Sequence, residues 1–216
     1  MATEEKKPIL YGYFRSSATW RIHIALKWKG IDYEYKPINL VTGEQKSEEY
    51  LKINPGGRVP AFITKEGKAI SQSEAILEYI EEIKPERPML PKGAYHRAQV
   101  RSIVQMIACD IHPIQNLAVL KYVGGADMAK REEWANHWVT NGFEGLEGLL
   151  EQYAGTYCVG DHITLADMFL VPMVYNANRW NVDMKKFPLI TRIHNTLMTL
   201  PEFKDTQPSM QPDSTL

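Results

Sequence analysis

No stretch of this 216-residue chain approaches the roughly 18 unbroken apolar residues that a membrane span requires. Cysteine is scarce. The two present, Cys109 and Cys158, are far apart and form no close-spaced metal or redox pair. Both sit among apolar neighbours and are expected to be buried, inert thiols. Neither charge is in surplus, with 25 Lys and Arg against 26 Asp and Glu, so no global field draws in nucleic acid or an anionic membrane. The basic residues fall singly or in pairs, which leaves no groove for a phosphate backbone. Repeats and low-complexity tracts are missing, and no metal site is expected. The charged start "MATEEKKP" lacks an apolar signal core, so the expected compartment is the cytoplasm.

What is present falls into two kinds of patterning. The first 84 residues alternate strand and helix signals. "PILYGYF" reads as a buried strand, and "ATWRIHIALKWKG" as a helix with apolar Trp20, Ile24, Leu26 and Trp28 and a C-cap at Gly30. "IDYEYKPINL" alternates as a second strand, "SEEYLKINP" is a short helix stopped by Asn54 and Pro55, and "VPAFIT" is a third strand. "KEGKAI" turns at Gly67 into a fourth, and "SQSEAILEYIEEI" opens a helix where Ser71 and Glu74 have capping-box spacing. The order β-α-β-α-β-β-α predicts a mixed sheet covered by helices, an α/β domain over residues 1–84. The proline-rich "KPERPMLP" predicts a linker, taken as 85–94. Residues 95–216 show long amphipathic segments without strands, an all-α domain. "YHRAQVRSIVQMIACDIHPIQNLAVLKYV" is expected as one helix bent near Pro113, and "QPSMQPDSTL" as a loose tail.

Chemistry concentrates at the junction "YFRSSATWRIHIAL", where two hydroxyls separate a strand from a helix. The first turn of a helix has unpaired N–H groups and about half a positive charge. One reading makes a serine there an ordinary N-cap. The other points its hydroxyl into a cleft to hold an anion such as a thiolate, helped by the helix terminus and by Arg15 or Arg21. "RVPAF" places Val59–Pro60 at a strand entrance, where a cis bond would turn the Val59 backbone toward an extended ligand, and a trans turn is the plain alternative. "ISQSEAI" sets Gln72 and Ser73 at a second helix N-terminus, fit either for capping or for a carboxylate.

This element order, with Val-Pro before the third strand and Gln-Ser opening the last helix, resembles the thioredoxin-like half of cytosolic glutathione transferases. The helical remainder is similar to that family's C-terminal domain. "YFRSSATWRIHIAL" resembles the zeta-class signature Ser-Ser-Cys-x-Trp-Arg-x-Arg-Ile-Ala-Leu, and "INPGGRVP", "HPIQNLAVLK", "YCVGDHITLADMFLVP", "NANRW" and the late "QPD" continue the likeness. The resemblance implies a glutathione-dependent enzyme that isomerises maleylacetoacetate in tyrosine and phenylalanine breakdown, by thiolate addition, rotation about the resulting single bond and elimination. It also admits a transferase acting mainly on small α-halo acids, or a glutathione-transferase-like binding domain without catalysis. Ser16 would activate the glutathione sulfur with Ser17 beside it. Gln45, Val59, Gln72, Ser73, Asn116 and Leu117 would line the glutathione site. Arg15, Arg21, His112 and Arg179 are the implied substrate contacts, though Arg21 could instead support the loop. A homodimer is implied as well.

Three positions depart from the family pattern. Ala18 replaces the signature cysteine, His23 replaces the second arginine, and His112 stands where glutamine is common. Because glutathione supplies the nucleophile, Ala18 is expected to leave a slower enzyme that resists alkylation at this position. His23 is expected to be a partly exposed surface residue. "GDHITLAD" is assigned to folding, since Thr164 and Asp167 have capping-box spacing, and Trp134 and Trp138 to packing on one helix face.

Overall fold

A computed structural model of the chain describes residues 6–216, so residues 1–5 of the charged start lie outside it. The aromatic-rich run forms strand β1 (Ile9–Gly12), which pairs in parallel with β2 (Glu34–Pro37). On its other side β1 runs antiparallel to β3 (Ala61–Ile63), which pairs with β4 (Ala69–Ser71), giving the order β2-β1-β3-β4. The register aligns Tyr11 with Ala61 and Ala61 with Ser71, while Gly12 lies opposite Pro37. The loops after β1, after β2, before β3 and after β4 therefore leave from one end of the sheet. Three helices accompany these strands: α1 (Ser17–Lys29), α2 (Glu48–Ile53) and α3 (Ser73–Ile83).

Helix α1 ends as its sequence dictates. Gly30 takes the left-handed conformation at φ 62°, and its N–H bonds the carbonyls of Leu26 and Lys27. Its sides differ from the expected single apolar stripe, because every residue from Thr19 to Leu26 is buried. His23 is accordingly not a surface residue but 2% exposed, its Nδ1 2.5 Å from Tyr33 Oη and its ring edge-on to Tyr35. The expected Ser71–Glu74 capping box does not form either: Ser71 closes β4, and the N-cap of α3 is Gln72, without a side-chain cap bond.

The chain divides into two compact units, one running to Arg87 and including Pro201–Leu216, the other spanning Pro88–Leu200. This places residues 201–216, expected in the helical domain, with the sheet. The expected loose tail, 207–216, is also held in place, since a 3₁₀ turn spans Pro208–Met210 with Pro208 buried, and Asp213 accepts the Phe14 N–H. Residues 84–87, at the start of the proline-rich stretch, are tied to the end of α1. Buried Lys29 donates to the carbonyls of Lys84 and Glu86 and pairs with Glu81, and the Arg87 guanidinium lies 3.7 Å above the Trp28 ring.

The second unit is helical. The single bent helix expected here is in fact broken: α4 (Ala94–Gln105) passes into a π-helical segment, Met106–Ile111, and a turn over 112–116 precedes α5 (Leu117–Gly124). Pro113 has no N–H to continue a helix, and Asn116 begins the next one by accepting from the N–H groups of Ala118 and Val119. Within this segment Ile107 and Ile111 are buried, whereas Cys109, expected buried, is exposed; Cys158 is buried as expected. The long α6 (Met128–Tyr153) approaches this segment at Gly142, where a Cβ would fall 2.4 Å from Ile111 Cγ1. Then follow α7 (Leu165–Arg179) and α8 (Pro188–Leu197). The α7 start is the capping box read from "GDHITLAD": Asp167, fully buried, accepts the N–H groups of Thr164 and Cys158 at 2.8 and 2.9 Å. Trp134 and Trp138 pack with ring centroids 5.8 Å apart, Trp134 against Leu120, Ala135 and Trp180.

Candidate active site

At the loop end of the sheet, Ser16 is the N-cap of α1. Its Oγ accepts the Thr19 N–H at 3.2 Å, and its own N–H closes a turn on the Tyr13 carbonyl at 2.9 Å. Capping and anion binding are not exclusive here. A hydroxyl has one donor and two lone pairs, and the Thr19 N–H uses a lone pair, so the O–H stays available at a half-buried position beside the positive end of the helix. Ser17, the first helical residue, is buried at 5% exposure. Arg15 is half-buried, with its guanidinium 5.8 Å from the Phe14 ring. Ala18 is half-buried one residue further on.

The Val59–Pro60 bond is cis, and among the described residues the Val59 N–H and carbonyl enter no hydrogen bond. From the loop after β2, Gln45 presents an Oε1 that is buried without a partner among the described residues, an uncommon condition for a polar atom. Gly57 makes room for this loop. It sits at φ 56°, and a Cβ there would lie 3.0 Å from the Gln45 carbonyl and 2.7 Å from Lys46 Nζ.

Gln72 holds a left-handed φ of 72°, a strained backbone for a residue with a side chain. The strain turns the chain sharply from β4 into α3, so the helix's first N–H groups face the same loop end. Ser73 is buried, and its Oγ accepts from Arg21 Nη1 at 3.1 Å. Arg21 is 1% exposed, which removes it from the implied substrate contacts. It is a positioning residue joining α1 to the start of α3. Burial draws its pKa down to about 9, opposed by the charge of Glu74, so the guanidinium remains a cation at neutral pH.

The second unit holds the other four candidates. Asn116 and Leu117 open α5, with the Asn116 side-chain oxygen engaged in capping and Leu117 exposed. His112, half-buried, ends the π segment, and its carbonyl accepts from Gln115 Nε2 at 3.3 Å. Gln115 Oε1 in turn accepts the Trp180 indole N–H at 3.1 Å. That bond ties the 112–116 turn to the end of α7, where Arg179 is exposed with its guanidinium 5.1 Å from the Trp180 ring. The structure thus groups Ser16, Gln45, Val59, Gln72 and Ser73 at one end of the sheet, and His112, Asn116, Leu117 and Arg179 around one helix junction. Gln115 was not singled out from the sequence, because its role is to brace that junction through a partner 65 positions away.

A polar cluster joins α1 to β2, with buried His23 against half-buried Tyr33 and Tyr35. Burial pushes Tyr33 up to about 12 and Tyr35 higher still, Tyr35 also through Asp213, so both phenols keep their protons. Burial drives His23 down to about 3, leaving a neutral imidazole. A histidine depressed in this way leaves stability intact above the unfolded value of 6.5. Below it the unfolded chain takes the proton first, and stability falls continuously toward about pH 3. Denaturant unfolding at pH 7 and pH 5 should show a loss of about 2 kcal/mol that His23→Gln removes. Equal losses in both proteins would place the acid limit in other groups.

A family model described as the glutathione S-transferase N-terminal domain matches residues 7–82, and one for the C-terminal domain of the same family matches residues 111–205. The chain is 50% identical over 214 residues to a maleylacetoacetate isomerase of Dictyostelium discoideum, covering 97% of each. Among solved structures it is similar to a maleyl pyruvate isomerase described as a bacterial glutathione S-transferase of the zeta class, with 38% identity, a TM-score of 0.92, and 96% of this chain and 100% of the other covered. It is also similar to a maleylacetoacetate isomerase from Methylobacterium extorquens AM1 with bound malonate and glutathione, at 33% identity and a TM-score of 0.92, covering 96% of this chain and 100% of that one.

Proposed function

The chain belongs to the glutathione S-transferase family, in its zeta class, and on that premise we propose that it catalyses the glutathione-dependent cis–trans isomerisation of maleylacetoacetate. The observation that carries this reading is the sheet register. It brings the capped hydroxyl of Ser16, the unpaired Val59 backbone, the orphaned Gln45 oxygen and the α3 N-terminus to one end of one sheet.

These residues fit glutathione. Val59 offers an N–H and a carbonyl to an extended peptide backbone, and Gln45 Oε1 offers a buried acceptor. Gln72 and the first N–H groups of α3 suit the carboxylate of a γ-glutamyl end. Glutathione, when bound, supplies a thiolate that adds to the conjugated double bond and leaves after rotation. Ser16 favours the ionised sulfur by donating its O–H, and the positive end of α1 and Arg15 act in the same direction. No protein nucleophile is needed, so Ala18 is compatible with activity.

The second substrate carries carboxylates, in keeping with the malonate held by the Methylobacterium relative. Arg179 is the cation assigned to it. Arg179→Ala should raise KM for the dicarboxylate by about tenfold, the loss of one charge-assisted hydrogen bond, with KM for glutathione unchanged. Steady-state kinetics in both substrates checks this, and an equal rise in both constants would make Arg179 positional. A cytoplasmic homodimer belongs to the same proposal, with sedimentation its test. The deciding experiment is the isomerisation assay of the wild-type chain with and without glutathione. Turnover that requires glutathione supports the reading, and turnover without it overturns the mechanism.

A further inference from the structure

The C-terminal segment reaches the loop that carries Ser16, and nothing assigned so far uses it. Beyond α9 (Pro201–Lys204), Asp205 pairs with Lys27 at 2.6 Å and Thr206 Oγ1 accepts the Trp20 indole N–H at 3.0 Å. Gln211 Nε2 then donates back to the Thr206 carbonyl at 2.7 Å. So fastened along α1, the segment delivers Asp213, whose Oδ2 accepts the Phe14 N–H at 2.9 Å and the Tyr35 hydroxyl at 3.2 Å. Its Oδ1 is buried with no hydrogen-bond partner among the described residues. Phe14 is 4% exposed and lies inside the turn closed by Ser16 N–H on the Tyr13 carbonyl.

From this geometry we propose that Asp213 is a positioning residue for the reaction: it holds the 13–16 turn so that the Ser16 hydroxyl faces the sulfur site. The inference rests on the reading that Ser16 donates to that sulfur. Its physical basis is the Phe14 N–H, which is buried and has to be paired. A carboxylate is a strong acceptor for a backbone N–H. Without it the turn must shift to find another acceptor, and small displacements at a reacting centre lower rate far more than they lower stability. The protonated Tyr35 hydroxyl, held in the polar cluster beside His23, fixes the carboxylate in place.

The test compares wild type with Asp213→Ala, Asp213→Asn and Asp213→Glu in three measurements. These are thiolate absorbance of bound glutathione against pH, affinity for S-methylglutathione, and hydrogen–deuterium exchange of the segment 13–17. Asp213→Ala should titrate the bound thiol about one pH unit higher and lower kcat/KM about tenfold. Exchange at 13–17 should rise, while S-methylglutathione, which has no thiol to ionise, binds as before. Asp213→Asn keeps an oxygen for the Phe14 N–H and should recover most of the activity. Asp213→Glu displaces the acceptor by one methylene, and it carries the test if the alanine variant does not fold. Wild-type titration and exchange in the alanine or glutamate variant would overturn the proposal, as would an asparagine variant as impaired as alanine. A wild-type chain that does not lower the thiol titration would instead overturn the Ser16 reading, and the exchange measurement still decides whether Asp213 holds the turn.

Discussion

Replacing Ser16 by alanine is expected to lower kcat/KM for glutathione-dependent isomerisation by about a hundredfold, the cost of removing one preorganised donor from a developing or stabilised anion. Ser17→Ala should cost far less, because Ser17 is buried one position into α1. The Ser16 variant needs a control, since its Oγ also accepts the Thr19 N–H. Alanine at an N-cap destabilises by about 1 kcal/mol, whereas glycine is tolerated within a few tenths. Ser16→Gly therefore removes the hydroxyl and nearly spares the cap. If both variants lose activity equally while only the alanine variant melts earlier, the O–H is the active feature. If glycine restores activity, Ser16 matters as a cap, and the sulfur is activated elsewhere.

Local signals carried much of this architecture, and non-local ones did not. The β-α-β-α-β-β-α order was legible because each element ends on a residue whose preference is its own: Gly30 in the left-handed region, Pro55 after α2, and Gly67 in the β3–β4 turn. Thr164 and Asp167 were legible for the same reason, being a cap closed within four residues. His23 was misread because helical periodicity locates one apolar stripe, and α1 is covered around almost its whole circumference. The break at Met106–Ile111 leaves no compositional mark, since a π turn differs from an α turn only in which carbonyl the N–H meets.

The site divides along the same line. Ser16, Gln72 and Ser73 stand at helix starts, where side-chain type and position coincide in the sequence. Asp213 could not be placed, because its partner Phe14 lies 199 positions away and the only signal was the short "QPD" near the end of a segment otherwise polar and proline-rich. Arg21 shows the reverse error. An arginine beside a candidate site invites a substrate contact, but only packing reveals that its guanidinium is enclosed.

That enclosure gives Arg21 the largest expected effect on stability. Its Nη1 donates to Ser73 Oγ, and Glu74 stabilises its charge. Arg21→Ala removes the cation, leaves buried Ser73 without that donor and opens a cavity between α1 and α3, and should cost about 3–5 kcal/mol in denaturant unfolding. Arg21→Met separates the contributions. Methionine refills most of the volume with no charge to desolvate, and exchanging a buried ion for a packed apolar side chain is often close to neutral. Arg21→Met should therefore recover most of the lost stability. It should not recover glutathione affinity, expected to fall about tenfold in both variants because the first turn of α3 is no longer held at Ser73. Calorimetric titration with glutathione alongside unfolding curves makes the comparison. If Arg21→Met restored both quantities, Arg21 would be packing alone. If it restored neither, the buried charge itself, and not the volume, would be what the junction of α1 and α3 requires.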